Sequence, residues 1–382
     1  MSASQNAAAA AIEWPMVSAD THIIEPPDLW TSHTDKAFRD RAPSVRREHD
    51  GDWWYIEGER TLSFAGGAQS GDRFEKPLEL RSGAYFNEVR PGGYEPNAHL
   101  ADNENDGVYA SLLFPTEGLM LYRLSDSTLL SALCRAYNDW LANFCSASPK
   151  RLYGCAMINI DDPADAVAEM TRNRKRGMTA ALLPTQAPPG APYTDPKYEV
   201  LWAAAQDLDM PLCMHLGANR APASGHGEDI RAIRPSYFTV MDMPVRQSFA
   251  DMIFAGVFDR YENLKVGSVE HELGWLPFFL DRLDNTYTQR HGNKNYYRFK
   301  GGALPSDLFH RNGFASFQDD ALGIRERAHI GIDGLMWGSD YPHTESTFPR
   351  SKQINGERLA GVPDVEKKKM LRDNARRILH ID

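Results

Sequence analysis

Short, nearly continuous apolar runs recur along most of this chain, and segments of helical spacing separate them. The runs at 107–115, 152–160, 178–184, 210–217 and 264–271 lack the alternation of a half-exposed strand. They read as strands buried on both faces, as in a parallel sheet. Between the first two, Leu129, Leu133, Tyr137, Trp140, Leu141 and Phe144 fall largely on one face of a helix over 126–144. Asp162-Pro163 opens the next helix, with a capping carboxylate and a proline at the first helical position. Further helices are predicted at 196–208, 244–258, 273–287 and 364–379. An opening strand at 15–25, a weaker one at 314–317 and a last at 335–343 bring the strands to eight.

Eight strands alternating with helices predict an α/β chain folded as a (β/α)8 TIM barrel over 15–382. The alternative is an open doubly wound sheet, but no GxGxxG follows the early strands. Residues 1–14, rich in alanine, are expected to form a disordered tail. The alternation breaks at 27–105, which contains the β-like run Asp52-Trp-Trp-Tyr-Ile-Glu and glycine-rich pieces at 65–67 and 90–93. So long an irregular stretch is expected to be a lid inserted after the first strand. Trp53, Trp54 and Tyr55 are expected to pack that lid onto the barrel more than to line a pocket.

Composition narrows the function classes. Hydrophobic residues make up 42% of the 382 and charged residues 25%, enough material for a large core. The net charge is −10, and no Lys/Arg block suits a phosphate backbone, so nucleic acid is not an expected partner. Cys134, Cys145, Cys155 and Cys213 are scattered and form no CxxC pair. They read as core thiols in a reducing compartment. No apolar run approaches the length of a membrane span, and the N-terminus lacks the basic start of a signal peptide. A cytoplasmic protein without a membrane partner is the expectation.

The candidate chemistry gathers where apolar strands give way to loops. Side chains alternate along a strand, so Asp20 and His22 share a face, and Glu25 can turn back toward them. The fifth strand ends at His215, the sixth at Glu270-His271, and the eighth at Asp340, followed by Tyr341-Pro342-His343. In a barrel all four ends open on one mouth, where reactive residues collect. Carboxylates mixed with imidazoles and no thiolate suit Zn, Mn or Fe. The remaining histidines fall in loops or helices; His226 could reach the mouth but reads as a surface residue. Arg60, Arg220 and Arg246 could meet a substrate carboxylate, although loop arginines are usually solvated.

With these residues in place, the chain resembles the amidohydrolase superfamily: Asp-x-His on strand one, His on strands five and six, Gly-Ser-Asp-Tyr-Pro on strand eight. More narrowly it is similar to the amidohydrolase-related branch of aminocarboxymuconate-semialdehyde and resorcylate-type decarboxylases. The likeness runs over about 15–380, including Phe258-Asp-Arg-Tyr-Glu-Asn-Leu-Lys-Val and Asp373-Asn-Ala-Arg-Arg-Ile-Leu. It implies that His22, His215 and Asp340 are metal ligands, with Asp20 standing where relatives often have His or Glu. His271 would assist catalysis or bind metal. Two departures stand out: no lysine ends the fourth strand, and Glu25 and Glu270 add carboxylates that a mononuclear site does not need. A second metal held by Glu25, with His271, would resemble a few dinuclear iron or manganese oxygenases.

The expected activity is that of a metal-dependent hydrolase or decarboxylase. Its substrate would be small and oxygenated, carboxylated or aromatic, and one or two ions would be held by Asp20, His22, Glu25, His215, His271 and Asp340. His271 and Asp340 are the candidate catalytic residues. A dinuclear Fe/Mn monooxygenase and a non-catalytic ligand-binding barrel or partner subunit are the alternatives. The resemblance also implies a homodimer or larger assembly.

Overall fold

A computed structural model describes residues 12–220, 235–290 and 297–382. Eleven strands occur among them: β1 (Met16–His22), β2 (Ser44–Arg47), β3 (Asp52–Ile56), β4 (Glu59–Ser63), β5 (Val108–Phe114), β6 (Leu152–Met157), β7 (Ala180–Gln186), β8 (Leu212–Asn219), β9 (Val266–Val269), β10 (Gly313–Phe317) and β11 (Leu335–Trp337). Eight of them pair in parallel in the order β1-β5-β6-β7-β8-β9-β10-β11. The ring nearly closes through backbone bonds beyond β11: Asp340 N–H donates to Asp20 at 2.9 Å, and His22 N–H donates to Tyr341. This is the expected (β/α)8 barrel. Every residue of β1, β6 and β10 is buried, as in a parallel sheet covered on both faces.

The helices follow the sequence pattern closely. The 127–145 helix is capped by Asp126, whose carboxylate accepts from Thr128 and Leu129 N–H. Asp162 does the same for the helix that Pro163 opens. Two expected helices are broken. The one predicted over 244–258 divides into Met243–Phe254 and Val257–Arg260 at Gly256, which takes a left-handed φ of 73°. The closing helix contains a π turn over Lys369–Asp373. Of the expected tail, residues 1–11 lie outside those described, and Ile12 is already buried in the core.

Between β1 and β5 the chain builds a separate three-stranded antiparallel sheet, β2-β3-β4. Trp54 on β3 meets Trp30 edge-on at 5.2 Å, and Trp30 donates its indole N–H to Leu133 on the 127–145 helix. Packing onto the barrel is therefore what Trp54 does. Trp53 is also buried, beneath the Arg60 guanidinium at 3.9 Å, and Tyr55 is half-buried with its hydroxyl on Glu48. All four cysteines are free. No helix among the described residues is long and apolar enough to cross a membrane.

Candidate metal centre

Strand register delivers the polar residues to one rim. His22 lies level with Phe114 on β5, and His215 lies level with Pro184 on β7 and Val269 on β9. Glu270 is thus the next residue beyond β9, and Asp340 comes just past β11. Both adopt left-handed backbone, at φ 65° and 58°, a conformation non-glycine residues hold only when their surroundings impose it. Gly338 lets the β11 end approach β1, since a Cβ there would stand 2.3 Å from that of Asp20.

The two imidazoles reveal their tautomers. His22 Nδ1 lies 2.8 Å from the Pro115 carbonyl, and His215 Nδ1 lies 2.8 Å from the Leu216 carbonyl. A carbonyl oxygen only accepts, so each Nδ1 carries a proton and each ring turns its Nε2 toward the other donors. These Nε2 atoms are 3.1 Å apart. Around them stand Asp20 Oδ1, 3.3 Å from His215 Nε2 and 3.5 Å from His22 Nε2, and Glu270 Oε2, 3.4 Å from His215 Nε2. Asp340 Oδ1 lies 3.3 Å from His22 Nε2. Asp20, His22, His215 and Glu270 each offer a donor atom within 4.8 Å of the other three. Asp20 Oδ2 and Asp340 Oδ2 are buried with no hydrogen-bond partner. Converging lone pairs and unpartnered carboxylate oxygens fit a divalent cation.

His343 braces this group from outside. Its Nδ1 faces Asp340 Oδ1 at 2.9 Å and its Nε2 faces Thr116 Oγ1 at 2.9 Å, while its ring lies 4.1 Å from that of His22. Burial opposes charge on His343, but the adjoining Asp340 carboxylate outweighs it and lifts the imidazole to about 9. Burial, with His343 nearby, pushes His22 down to about 3. Burial raises Asp340 to about 6 against the pull of His343. Burial would raise Asp20 too, but His215 and His22 hold it well below the ordinary carboxylate range. Glu270 is driven well up by burial and by the charges of Asp340 and Asp20.

Two expected ligands are not brought into this group. Glu25 is buried, but its carboxylate accepts three backbone N–H bonds, from Thr116 at 3.1 Å, Glu117 at 3.0 Å and Gly118 at 2.9 Å. It holds the turn after β5, so a second ion on Glu25 does not fit this arrangement. His271 is not among the converging donors: Nδ1 is 3.1 Å from Ser268 Oγ, and Nε2 is buried without a partner. Glu270 takes the place its neighbour was expected to fill. Glu345, five residues beyond Asp340, also reaches the rim, and no periodicity in its loop could have marked it. Arg60, Arg220 and Arg246 are committed to Glu48, Asp161 and Asp242. His226 lies outside the described residues.

Comparison with known proteins agrees with this architecture. The amidohydrolase family pattern matches residues 86–381. A decarboxylase, orsB, of Emericella nidulans is 30% identical over 171 residues, covering 41% of this chain and 49% of that protein. A 2-amino-3-carboxymuconate-6-semialdehyde decarboxylase of Dictyostelium discoideum is 23% identical over 321 residues, covering 80% of this chain and 82% of that one. Among solved structures, an amidohydrolase from Mycobacterium avium subsp. paratuberculosis K-10 superposes with a TM-score of 0.75 at 21% identity, covering 97% of this chain and 100% of its own. A dihydroxybenzoic acid decarboxylase from Polaromonas sp. JS666, with bound manganese and the inhibitor 2-nitroresorcinol, superposes with a TM-score of 0.64 at 18% identity, covering 96% and 97%.

Proposed function

Because this chain belongs to the amidohydrolase family, we propose that it is a divalent-metal-dependent decarboxylase of small, hydroxylated aromatic or related unsaturated carboxylic acids. The observation that carries the reading is the facing pair of Nε2 atoms, His22 and His215, 3.1 Å apart and flanked by Asp20 and Asp340. Decarboxylase relatives along much of the chain, and manganese in a structural neighbour, support the reaction and the metal class.

Asp20, His22, His215 and Asp340 would hold the ion, with Glu270 within reach. A cation bound there supplies Lewis acidity toward a substrate carboxylate or phenolate oxygen. The protein's own task is to orient the acid and to move one proton to the carbon that loses the carboxyl group. His271 would carry the proton: its Nε2 is buried without a partner, and its imidazole lies close enough to His215 and Asp20 to feel both. The segment at 27–105 would act as the lid that excludes water. Thr61 of β4 donates to Glu117 at the mouth, and Thr344 donates to the Gly66 carbonyl at 3.2 Å.

Release of CO2 from a panel of hydroxybenzoic acids tests the proposal, with the protein as purified, after chelation, and after adding back Mn2+ or Zn2+. Loss on chelation and recovery with one metal is expected. Undiminished turnover in the metal-free protein, or no CO2 from any acid with the ion bound, would overturn it.

A further inference from the structure

Tyr341 follows Asp340 directly, and its backbone is held between two of the proposed metal ligands. Asp340 N–H donates to the Asp20 carbonyl at 2.9 Å, and the Tyr341 carbonyl accepts from His22 N–H at 2.6 Å. Tyr341 N–H donates to Ser339 Oγ at 3.2 Å. Among these bonds Asp340 takes its left-handed φ of 58°, which its surroundings must impose. The Tyr341 side chain, 1% exposed, anchors this stretch.

Its anchor is an ion pair supplied by the segment between β1 and β5. The Tyr341 hydroxyl donates to Asp102 Oδ2, on the helix Pro96–Asp106. The same carboxylate accepts both prongs of Arg90, Nε at 2.6 Å on Oδ2 and Nη2 at 2.5 Å on Oδ1. Gly92 leaves room for the meeting: a Cβ there would stand 2.0 Å from the Tyr341 hydroxyl and 2.3 Å from Asp102 Oδ2. His99 donates Nδ1–H to the Gly92 carbonyl at 2.8 Å and lies edge-on to the Tyr341 ring at 5.2 Å.

A buried phenol needs one hydrogen-bond partner, and a backbone carbonyl would satisfy it. Asp102 is 6% exposed, and a carboxylate so placed is costly unless its charge is matched. Direction is what the ion pair adds. The Arg90 fork fixes the plane of the carboxylate through two charge-assisted bonds. The carboxylate fixes the hydroxyl, and the rigid ring carries that position to the Tyr341 backbone, one residue from Asp340.

We propose that Arg90, Asp102 and Tyr341 form a positioning chain that sets the aim of the Asp340 carboxylate and, through it, the metal affinity of the centre. The inference rests on the metal-site reading above. None of the three residues is among the converging donors. They act through Asp340, so the segment between β1 and β5 tunes the centre from outside it.

The test is Mn2+ titration of chelated full-length protein, read as a dissociation constant and by electron paramagnetic resonance of the bound ion. Tyr341→Phe and Arg90→Met are each expected to raise the dissociation constant about 10–100-fold and to alter the spectrum. The double variant is expected to lose no more than the larger single loss, because both changes break one chain. Arg90 keeps 45% of its side chain exposed, so Arg90→Met decides the matter alone if Tyr341→Phe does not fold. Asp126→Ala removes the cap of the 127–145 helix. It is expected to lower the urea midpoint while leaving Mn2+ affinity at the parent value. Parent affinity in either folded single variant, additive losses in the double, or an equal loss in Asp126→Ala would each overturn the proposal. A parent that binds no Mn2+ would overturn the metal-site reading with it. Absent CO2 release from Mn2+-loaded protein would sink the decarboxylase reading alone.

Discussion

His22 and His215 face one another Nε2 to Nε2 at 3.1 Å, and each ring donates its Nδ1–H to a backbone carbonyl. Two ring nitrogens held that close, with the carboxylates of Asp20 and Asp340 beside them, suit a cation among them. The backbone carbonyls of Pro115 and Leu216 thus do the work of second-layer partners: they fix which nitrogen faces the mouth.

His215→Ala removes one of the two imidazoles and leaves Asp20 without its nearest one. Elemental analysis is expected to show loss of the bound ion, and CO2 release is expected to fall by about 100-fold or more, since several kcal/mol of electrostatic stabilisation depend on that ion. A variant with full metal content and activity would remove His215 from the centre.

His343 acts through Asp340, so its removal is expected to weaken metal binding without abolishing it. His343→Ala is expected to raise the metal dissociation constant about 10–100-fold. His343→Asn can place its amide nitrogen where Nδ1 stands and is expected to lose less. Equal losses in the two variants would show that the ring's stacking on His22, and not the bond to Asp340, is what matters.

Glu25 separates structure from catalysis. Burial pushes its carboxyl up to about 7 from an ordinary 4.5, despite three backbone N–H donors. A carboxyl raised on folding contributes stability that is complete below about pH 4.5 and is lost as pH rises through about 7. Glu25→Gln is expected to keep its metal and to be less stable than the parent at pH 5. That gap is expected to narrow by pH 8, as urea midpoints at the two values would record. Loss of the ion in this variant would return Glu25 to the metal centre.

The segment between β1 and β5 depends on a few buried contacts. Trp54→Ala is expected to cost about 3–5 kcal/mol, as large aromatic deletions do. Thr61→Val leaves Glu117 without its hydroxyl donor and is expected to cost about 1–3 kcal/mol. Urea unfolding measures both. A Trp54→Ala change below about 1 kcal/mol would mean that Trp30 and Trp54 do not pack as the structure has them.

Most of the barrel was legible because parallel strands covered on both faces must be apolar without alternation, and 107–115, 152–160 and 178–184 announce themselves so. The helix breaks were less visible. Gly256 sits inside an apolar pattern that continues across it, and only its left-handed φ ends the helix. The π turn at 369–373 has no compositional mark at all.

What the amino-acid order determined by itself was the set of strand ends and the residue types on them: Asp20, His22, His215, Glu270, His271 and Asp340. Which of these converge was decided by tertiary structure. Glu270 and His271 are neighbours in sequence, yet with left-handed backbone at Glu270 it is the carboxylate that meets His215, and His271 is not among the converging donors. Glu25 looked like a third ligand from its spacing, but the turn after β5 brought three N–H groups to it first. A carboxylate binds whichever donors or cations its surroundings deliver, and spacing along one strand cannot say what arrives from the next.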